Sequence, residues 1–351
     1  MAANSTEKKE RIVLDVAYQP QVRTRTDTRR IMLDVILALL PAVGAAVWQY
    51  GLHPLLVIAT SVASAVFFEW LYRKLMKKTN TIGDLSAVVT GMLLALTLPT
   101  TAPWWLPIVG TLFAIVVVKQ LYGGIGKNFL NPALAGRAFL LASYALLMGT
   151  YGIPRALTGA VDGVTMATPL SYLYAGEALP SYFNYRTLFL GTIPGAIGEL
   201  SALALLIGGI YLLLRKVISW RIPVSFIGTV ALLTLIFGHS GYSHGEWMLY
   251  NLLSGGLLLG AIFMATDYAT SPVTLNGQLL YGAGCGALTV LIRYFGGFPE
   301  GVSYAILIMN LCAWAIDKGF RRHQFGVSKE DIAAEKAEKK AARRAAKEAA
   351  K

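Results

Sequence analysis

An all-α protein that crosses a membrane many times is the fold class this sequence predicts, on three observations. Of 351 residues, 55% are hydrophobic and only 14% charged, with a mean hydropathy of +0.55, far from soluble averages. Apolar stretches long enough, or nearly long enough, to cross a bilayer run at 31–50, 52–72, 85–100, 104–122, 134–153, 198–214, 222–239, 250–266, 278–295 and 302–317, ten in all. The net charge of +12 is gathered at the two ends of the chain and in short connections rather than spread along a face.

That charge fixes an orientation. Residues 1–29 and the position after them carry Lys8, Lys9, Arg11, Arg23, Arg25, Arg29 and Arg30. The second stretch ends at Arg73-Lys74 with Lys77 and Lys78, the fourth at Lys119, the sixth at Arg215-Lys216 and the tenth at Lys318 with Arg321-Arg322. The positive-inside rule places these, and hence both termini, on the cytoplasmic face of the membrane that the chain crosses many times. The eighth stretch, ending at Asp267, is the exception. No aromatic-basic stripe accompanies the charge, so nucleic acid is not an expected partner. The polar first thirty residues carry no signal-peptide pattern. Cys285 and Cys312 lie in apolar stretches without C-x-x-C or Cys/His spacing, which predicts small buried thiols rather than a metal or redox site.

Taken in order, the chain divides into a cytoplasmic segment (1–29), a first membrane half (30–153), an extracytoplasmic loop (154–197), a second membrane half (198–320) and a basic Ala/Lys/Glu-rich cytoplasmic tail (321–351) suited to anionic lipid or a partner. Stretches 85–100 and 250–266 are short and Pro-broken. Pro99 and Pro272 are 173 residues apart, as are Tyr122-Gly123-Gly124 and Phe295-Gly296-Gly297. Five spans per half then predict two inverted repeats with a site between the broken elements.

The loop 154–197 contains Asp162, Thr165, Met166, Ala167, Thr168 and Pro169. Locally these form a hydroxyl-rich turn. A Thr hydroxyl exposed in a Pro-terminated turn can also be presented to a transferase, and a phosphate attached there could pair with Arg155 and Arg186. Tyr172, Tyr174, Tyr182, Phe183 and Tyr185 suit an interfacial segment.

At 122–137 the chain is rich in Gly, with Lys127, Asn128, Asn131, Pro132 and Arg137. Gly126-Lys127 is not a phosphate-binding P-loop, because Leu121 and Asn128 stand where Gly and Ser or Thr are required. The segment can instead line a cleft at the cytoplasmic mouth of two spans, or serve as a tight connection. Arg137, inside an apolar run, marks a functional position. Gly256/Gly260 and Gly282/Gly286 predict close helix packing. Asp267 with Thr266, Thr270 and Ser271 forms an oxygen-rich group at a break, an ion site or a solvated helix end; Asp34 and Glu69 can snorkel from span ends. His239 and His244 are expected at the surface.

Together the segments Ile31 to Pro41, Asp84 to Leu96, Asn131 to Phe139, Ser254 to Pro272 and Pro299 to Ala305 resemble the D subunit family of the Rnf electron-transport complex and, more distantly, the B subunit of the sodium-pumping NADH:quinone oxidoreductase. The resemblance spans residues 15–326. It implies ten helices in two inverted five-helix repeats and FMN joined covalently through its phosphate to Thr168. The family's Asp-x-x-(Ser/Thr)-Gly-Ala-Thr motif maps onto Asp162, Thr165, Ala167 and Thr168, with Met166 in place of the usual Gly. A second, non-covalent flavin (riboflavin) would lie near the cytoplasmic side, at Asn131, Arg137 and Ser254. The implied role is a redox subunit, multi-pass in the bacterial inner membrane, of an ion-translocating ferredoxin:NAD oxidoreductase, coupled to Na⁺ or H⁺ movement. It implies no catalytic acid, base or metal in this chain. Implied partners are the other complex subunits, including an extracytoplasmic flavoprotein, and a flavin transferase during maturation. A passive channel or transporter, and a structural membrane subunit, share the predicted architecture.

Overall fold

Asp27, whose carboxylate accepts from Thr28 N at 2.8 Å, caps the first helix of a computed structural model that describes residues 27–157, 165–177, 179–238, 241–296 and 300–320. The helices are α1 (Thr28–Tyr50), α2 (His53–Leu75), α3 (Ser86–Leu96), α4 (Leu106–Leu112), α5 (Pro132–Ser143), α6 (Ala145–Met148), α7 (Pro169–Ala175) and α8 (Tyr185–Leu190). They continue as α9 (Ala202–Leu214), α10 (Arg221–Phe237), α11 (His244–Leu253), α12 (Leu257–Leu259), α13 (Leu275–Phe295) and α14 (Val302–Gly319). Two stretches, Phe113–Gln120 after α4 and Gly260–Met264 after α12, wind as π-helix, a geometry concentrated at functional sites. Among the described residues there is no strand, only the isolated bridges Pro99–Ala196 and Gly152–Thr165. The protein is an all-α polytopic membrane protein.

Each of the ten apolar stretches contains one or more of these helices. By length and composition, α1, α2 and α13 can cross a membrane alone, and α11 with α12 and its π-helical extension forms a pair bent by 62°. Stretch 134–153 is not one continuous span: at Tyr144, with φ −131° and ψ 47°, the backbone leaves the helix and separates α5 from α6. Stretch 250–266 starts earlier than expected, at His244, and is broken at Ser254-Gly255-Gly256, where Gly255 takes φ +70°.

Small residues set the helix contacts, as they must where lipid supplies no hydrophobic force between helices. A Cβ on Gly282 or Gly286 of α13 would stand 2.7 Å from Ile222 O or 2.8 Å from Phe226 O of α10. On α3, Gly91 packs against α2, with Ser61 Oγ donating to Gly91 O at 2.6 Å. Helix α1 meets α9 where Gly208 abuts Ala38 O, and Tyr211 Oη donates to Asp34 at 2.8 Å beside Arg215 at 3.2 Å. Past the end of α3, Leu96 O and Leu98 O accept from Gly198 N at 2.7 Å and Ile197 N at 2.9 Å. Segment 196–198 thus satisfies carbonyls that a broken helix leaves without partners.

Several expectations are corrected. Asp34 and Glu69 do not snorkel but are buried and paired. Lys119 is not a solvated charge at the end of the fourth stretch; it is buried against Glu69 and Ser86. Cys285 is buried, whereas Cys312 is exposed on the outer surface of the helices. The atoms nearest to a Cβ on Gly256 belong to Glu199, with Oε1 at 2.7 Å, while Gly260 packs against Val302 and Ile306 of α14.

Candidate functional site

Thr168 is the N-cap of α7: its Oγ1 accepts from Ser171 N at 3.3 Å and lies 2.8 Å from Ser171 Oγ. Its side chain is therefore not presented in an open turn, and only 5% of the residue is exposed. Thr165 and Ala167 face outward while Met166 turns inward, packing with Leu157, Phe183, Leu188 and Ile193 in a small core of its own. Met166 N donates to Tyr151 O at 3.0 Å, fixing the segment against residues 151–152. Met166, where the family motif has Gly, thus places its side chain in the loop's own core. Asp162 lies outside the described residues, as does His239. Arg155 and Arg186 are exposed, and His244 begins α11 at the surface.

Helix α7 rests on the break of the eighth stretch. Tyr174 Oη donates to Asn251 Oδ1 at 2.9 Å, and a Cβ on Gly255 would meet Leu170 at 3.1 Å. Below it the two half-helix ends carry opposite charges. Arg293, 2% exposed, donates to Asn251 O at 2.8 Å and to Ser254 O at 3.4 Å, closing the carbonyl end of α11. Glu199 faces Gly256 at the amide end of α12. A cation on the carbonyl end and an anion on the amide end complement both dipoles. Such half-helix ends are where broken membrane helices bind charged groups. Arg137 of α5 joins this centre, bonding Glu300 closely and Glu199 at 3.5 Å, while Tyr151 Oη donates to Glu300 at 3.0 Å.

On the opposite side of the bundle a partly open cleft is lined by Ile31, Val35, Leu93 and Phe263 among apolar residues and by Ser86, Thr90, Lys119, Asn128, Asn131, Thr266 and Asp267 among polar ones. Both π-helices border it. Asn131 caps α5, accepting from Ala133 N at 3.1 Å, and donates to Met264 O at 3.1 Å, so it ties the start of α5 to the end of the second π-helix. With its amide turned to suit its neighbours, Asn310 accepts from Asn131 N at 3.1 Å and donates to Tyr281 Oη at 2.6 Å. Asp267 accepts from Thr270 Oγ1 at 3.1 Å. Of the three residues expected to share a second flavin, only Asn131 lines this cleft; Arg137 and Ser254 belong to the centre at the helix break.

A family model described as NQR2, RnfD, RnfE matches residues 15–326. The chain belongs to the NQR2, RnfD, RnfE family. It is 49% identical over 319 residues to the D subunit of the Na(+)-translocating ferredoxin:NAD(+) oxidoreductase complex of Acetobacterium woodii, covering 90% of this chain and 96% of that one. It is 41% identical over 325 residues to the D subunit of the proton-translocating ferredoxin:NAD(+) oxidoreductase complex of Clostridium ljungdahlii, covering 90% and 97%. To the D subunit of the ion-translocating oxidoreductase complex of Stutzerimonas stutzeri it is 38% identical over 329 residues, covering 86% and 93%. The first two differ in the ion that they are named for while matching this NQR2, RnfD, RnfE family chain over the same share of its length.

Glu199, Glu300 and Tyr151 escaped the sequence reading. A signal was present for one: Glu199 stands at the head of an apolar stretch, as Arg137 stands inside one, and a buried cation calls for a buried anion. Nothing in the spacing joins Tyr151 to residue 300.

Proposed function

We propose that this chain is the membrane redox subunit of an ion-translocating ferredoxin:NAD oxidoreductase complex, carrying FMN as a phosphoester on Thr168. The observation that carries the reading is the place of Thr168 in a family member: the cap of a helix seated on the broken eighth stretch, beside a buried centre of two arginines and two carboxylates. The bound flavin would supply electron transfer, which no side chain here can supply. The chain's residues do the positioning. Ser171 offers its hydroxyl and amide to the oxygen of Thr168, Met166 anchors the turn, and Tyr174 and Leu170 hold α7 on the break. Esterification requires Thr168 to turn out from Ser171, a rotation of one side chain at the start of a short helix.

The cytoplasmic cleft is the place we assign to a second, non-covalent flavin: its walls are largely apolar, and Asn128, Asn131 and Thr90 supply donors and acceptors. Other members of the complex, an extracytoplasmic flavoprotein among them, would pass electrons to the outer flavin, and a flavin transferase would install it. Two inverted five-helix halves and cytoplasmic termini complete the arrangement; the packing of α1 against α9, first helix of each half, supports it.

The test is illumination of a denaturing gel. A fluorescent band in protein made with the flavin transferase is expected to vanish in Thr168→Ala, and to survive in Thr165→Ala and in Thr168→Ser, which keeps both the cap and the hydroxyl. No band in any of them overturns the covalent flavin and leaves a channel or scaffold.

A further inference from the structure

A row of short polar contacts leads out of the cleft to the connection between α2 and α3. Lys119, 3% exposed near the end of the first π-helix, and Ser86, the first residue of α3, both line the cleft. Lys119 Nζ donates to Ser86 Oγ at 2.6 Å, and Ser86 Oγ donates to Asp84 Oδ1 at 2.5 Å. Asp84, half-buried, is the least buried of the three and stands outside the cleft wall. Three side chains thus join the cavity to the surface without a gap. Each link suits proton exchange, since an ammonium carries three hydrogens and a hydroxyl both donates and accepts. Two of the ammonium's hydrogens go to Glu69 and Ser86, which leaves the third for a ligand in the cleft.

A second observation concerns the partner that Lys119 would leave behind. Losing a proton from one member of a buried ion pair strands the other charge, and the Glu69 side chain is only 1% exposed. Glu69 has further partners, however. Thr81 Oγ1 donates to its Oε1 at 2.8 Å, and Arg73 Nε lies 4.0 Å from the same oxygen. Arg73 is itself held by Thr79 O at 2.7 Å. The carboxylate therefore keeps a cation and a hydroxyl while Lys119 is neutral.

The geometry points to Lys119 as the group that gives protons to, and takes them from, the flavin of this cleft, with Ser86 and Asp84 as its connection to water. This rests on the assignment of a non-covalent flavin to the cleft. Two electrons from the outer flavin bring one proton with them. An N–H bond forms on a ring nitrogen as an N–H bond of Lys119 breaks. The Lys119 amine takes the hydroxyl proton of Ser86, Ser86 takes one from the Asp84 carboxyl, and water supplies the proton that Asp84 passes on. Reoxidation of the ring sends a proton back along the row, the direction in which the hydrogens of Lys119 and Ser86 already point. The charged groups that face Lys119 are Glu69 from α2, Asp84 through Ser86, and Asp267 on the cleft wall, with Arg73 acting through Glu69.

Photochemical reduction of the detergent-purified full chain tests this, in a Thr168→Ala background so that the cleft holds the sole flavin. Ring absorbance follows the electrons and a pH-indicator dye follows the protons. Proton uptake is expected to slow roughly tenfold or more in Lys119→Arg, Ser86→Ala and Asp84→Asn, with acid-extractable flavin unchanged. Lys119→Arg keeps a cation beside Glu69 but holds its protons. Added acetate, a carboxylate that reaches the surface end of the row from solution, is expected to restore the rate in Asp84→Asn and not in Ser86→Ala; a structural role for Asp84 gives no such rescue. Should Ser86→Ala lose its flavin, Asp84→Asn with and without acetate decides, because Asp84 lies outside the cleft wall. Wild-type uptake in the variants that retain flavin overturns the relay and leaves the flavin in the cleft. A chain without extractable flavin overturns both.

Discussion

Lys119 Nζ lies 2.7 Å from Glu69 Oε2 and 2.6 Å from Ser86 Oγ, with 4% of the lysine and 1% of the glutamate side chain exposed. Thr81 Oγ1 occupies the other carboxylate oxygen at 2.8 Å, so the pair joins α2, the start of α3 and the first π-helix. Removing one partner of such a buried pair costs about 3–5 kcal/mol, because the other charge stays behind. Glu69→Gln is therefore expected to lower the thermal unfolding midpoint of the detergent-purified protein, and the double variant Glu69→Gln, Lys119→Met to recover part of the loss, since buried Arg73, 4.0 Å from Glu69 Oε1, keeps its charge. A double variant no more stable than the single one would show that the pair contributes through shape rather than charge.

Met166 is a packing residue of the outer loop. It is 8% exposed among Leu157, Phe183, Leu188 and Ile193. Met166→Ala is expected to destabilise that small core by about 2–5 kcal/mol, measured as faster proteolysis of the loop in intact outward-facing vesicles. Because the hydroxyl of Thr168 is held by Ser171 and not by Met166, the in-gel flavin band should keep its intensity. A band that strengthens severalfold in the Ala variant would instead mean that Met166 hinders the transferase.

Apolar length located a helix in each of the ten stretches, because a chain in lipid has no other way to satisfy its backbone, but not α7 and α8, which lie in the polar outer connection. What escaped is where helices stop. Tyr144 and the Ser254–Gly256 break interrupt runs that are apolar throughout, and a hydrophobic window does not register a change in φ. The charged residues were visible but their partners were not. Lys119 reads as a cytoplasmic end marker until Glu69, fifty positions earlier, is found against it. Arg137 was singled out for its depth, yet the carboxylates that explain it lie 62 and 163 residues away. Thr168 was singled out by motif, and the motif says nothing of the N-cap bond that tucks its hydroxyl in.

The orientation of the outer loop is open to chemical labelling. Glu177, just past α7, is exposed and outside the aromatic contacts of the loop. Glu177→Cys, placed in a background with Cys312 replaced by Ser, is expected to react with a membrane-impermeant maleimide added to whole cells. Labelling that appears only after lysis would put the loop, and with it Thr168, on the cytoplasmic side and reverse the direction of every span.

The cleft makes the last prediction. Ala133 lines it from the first turn of α5, is 1% exposed, and follows Asn131 and Pro132 in the segment that caps the helix. An indole at this position projects into the space that an isoalloxazine ring would need, while leaving Asn131 free to hold Ala133 N and Met264 O. Acid extraction of the wild-type protein is expected to release a non-covalent flavin, and Ala133→Trp to release close to none. The covalent band in the gel serves as the control for folding, since it depends on the outer loop at the other end of the bundle. Loss of both signals together would mark a misfolded variant, for which Thr90→Phe, entering the same cleft from α3, is the substitute; an extractable flavin retained in a variant with its covalent band intact would place the second flavin somewhere other than this cleft.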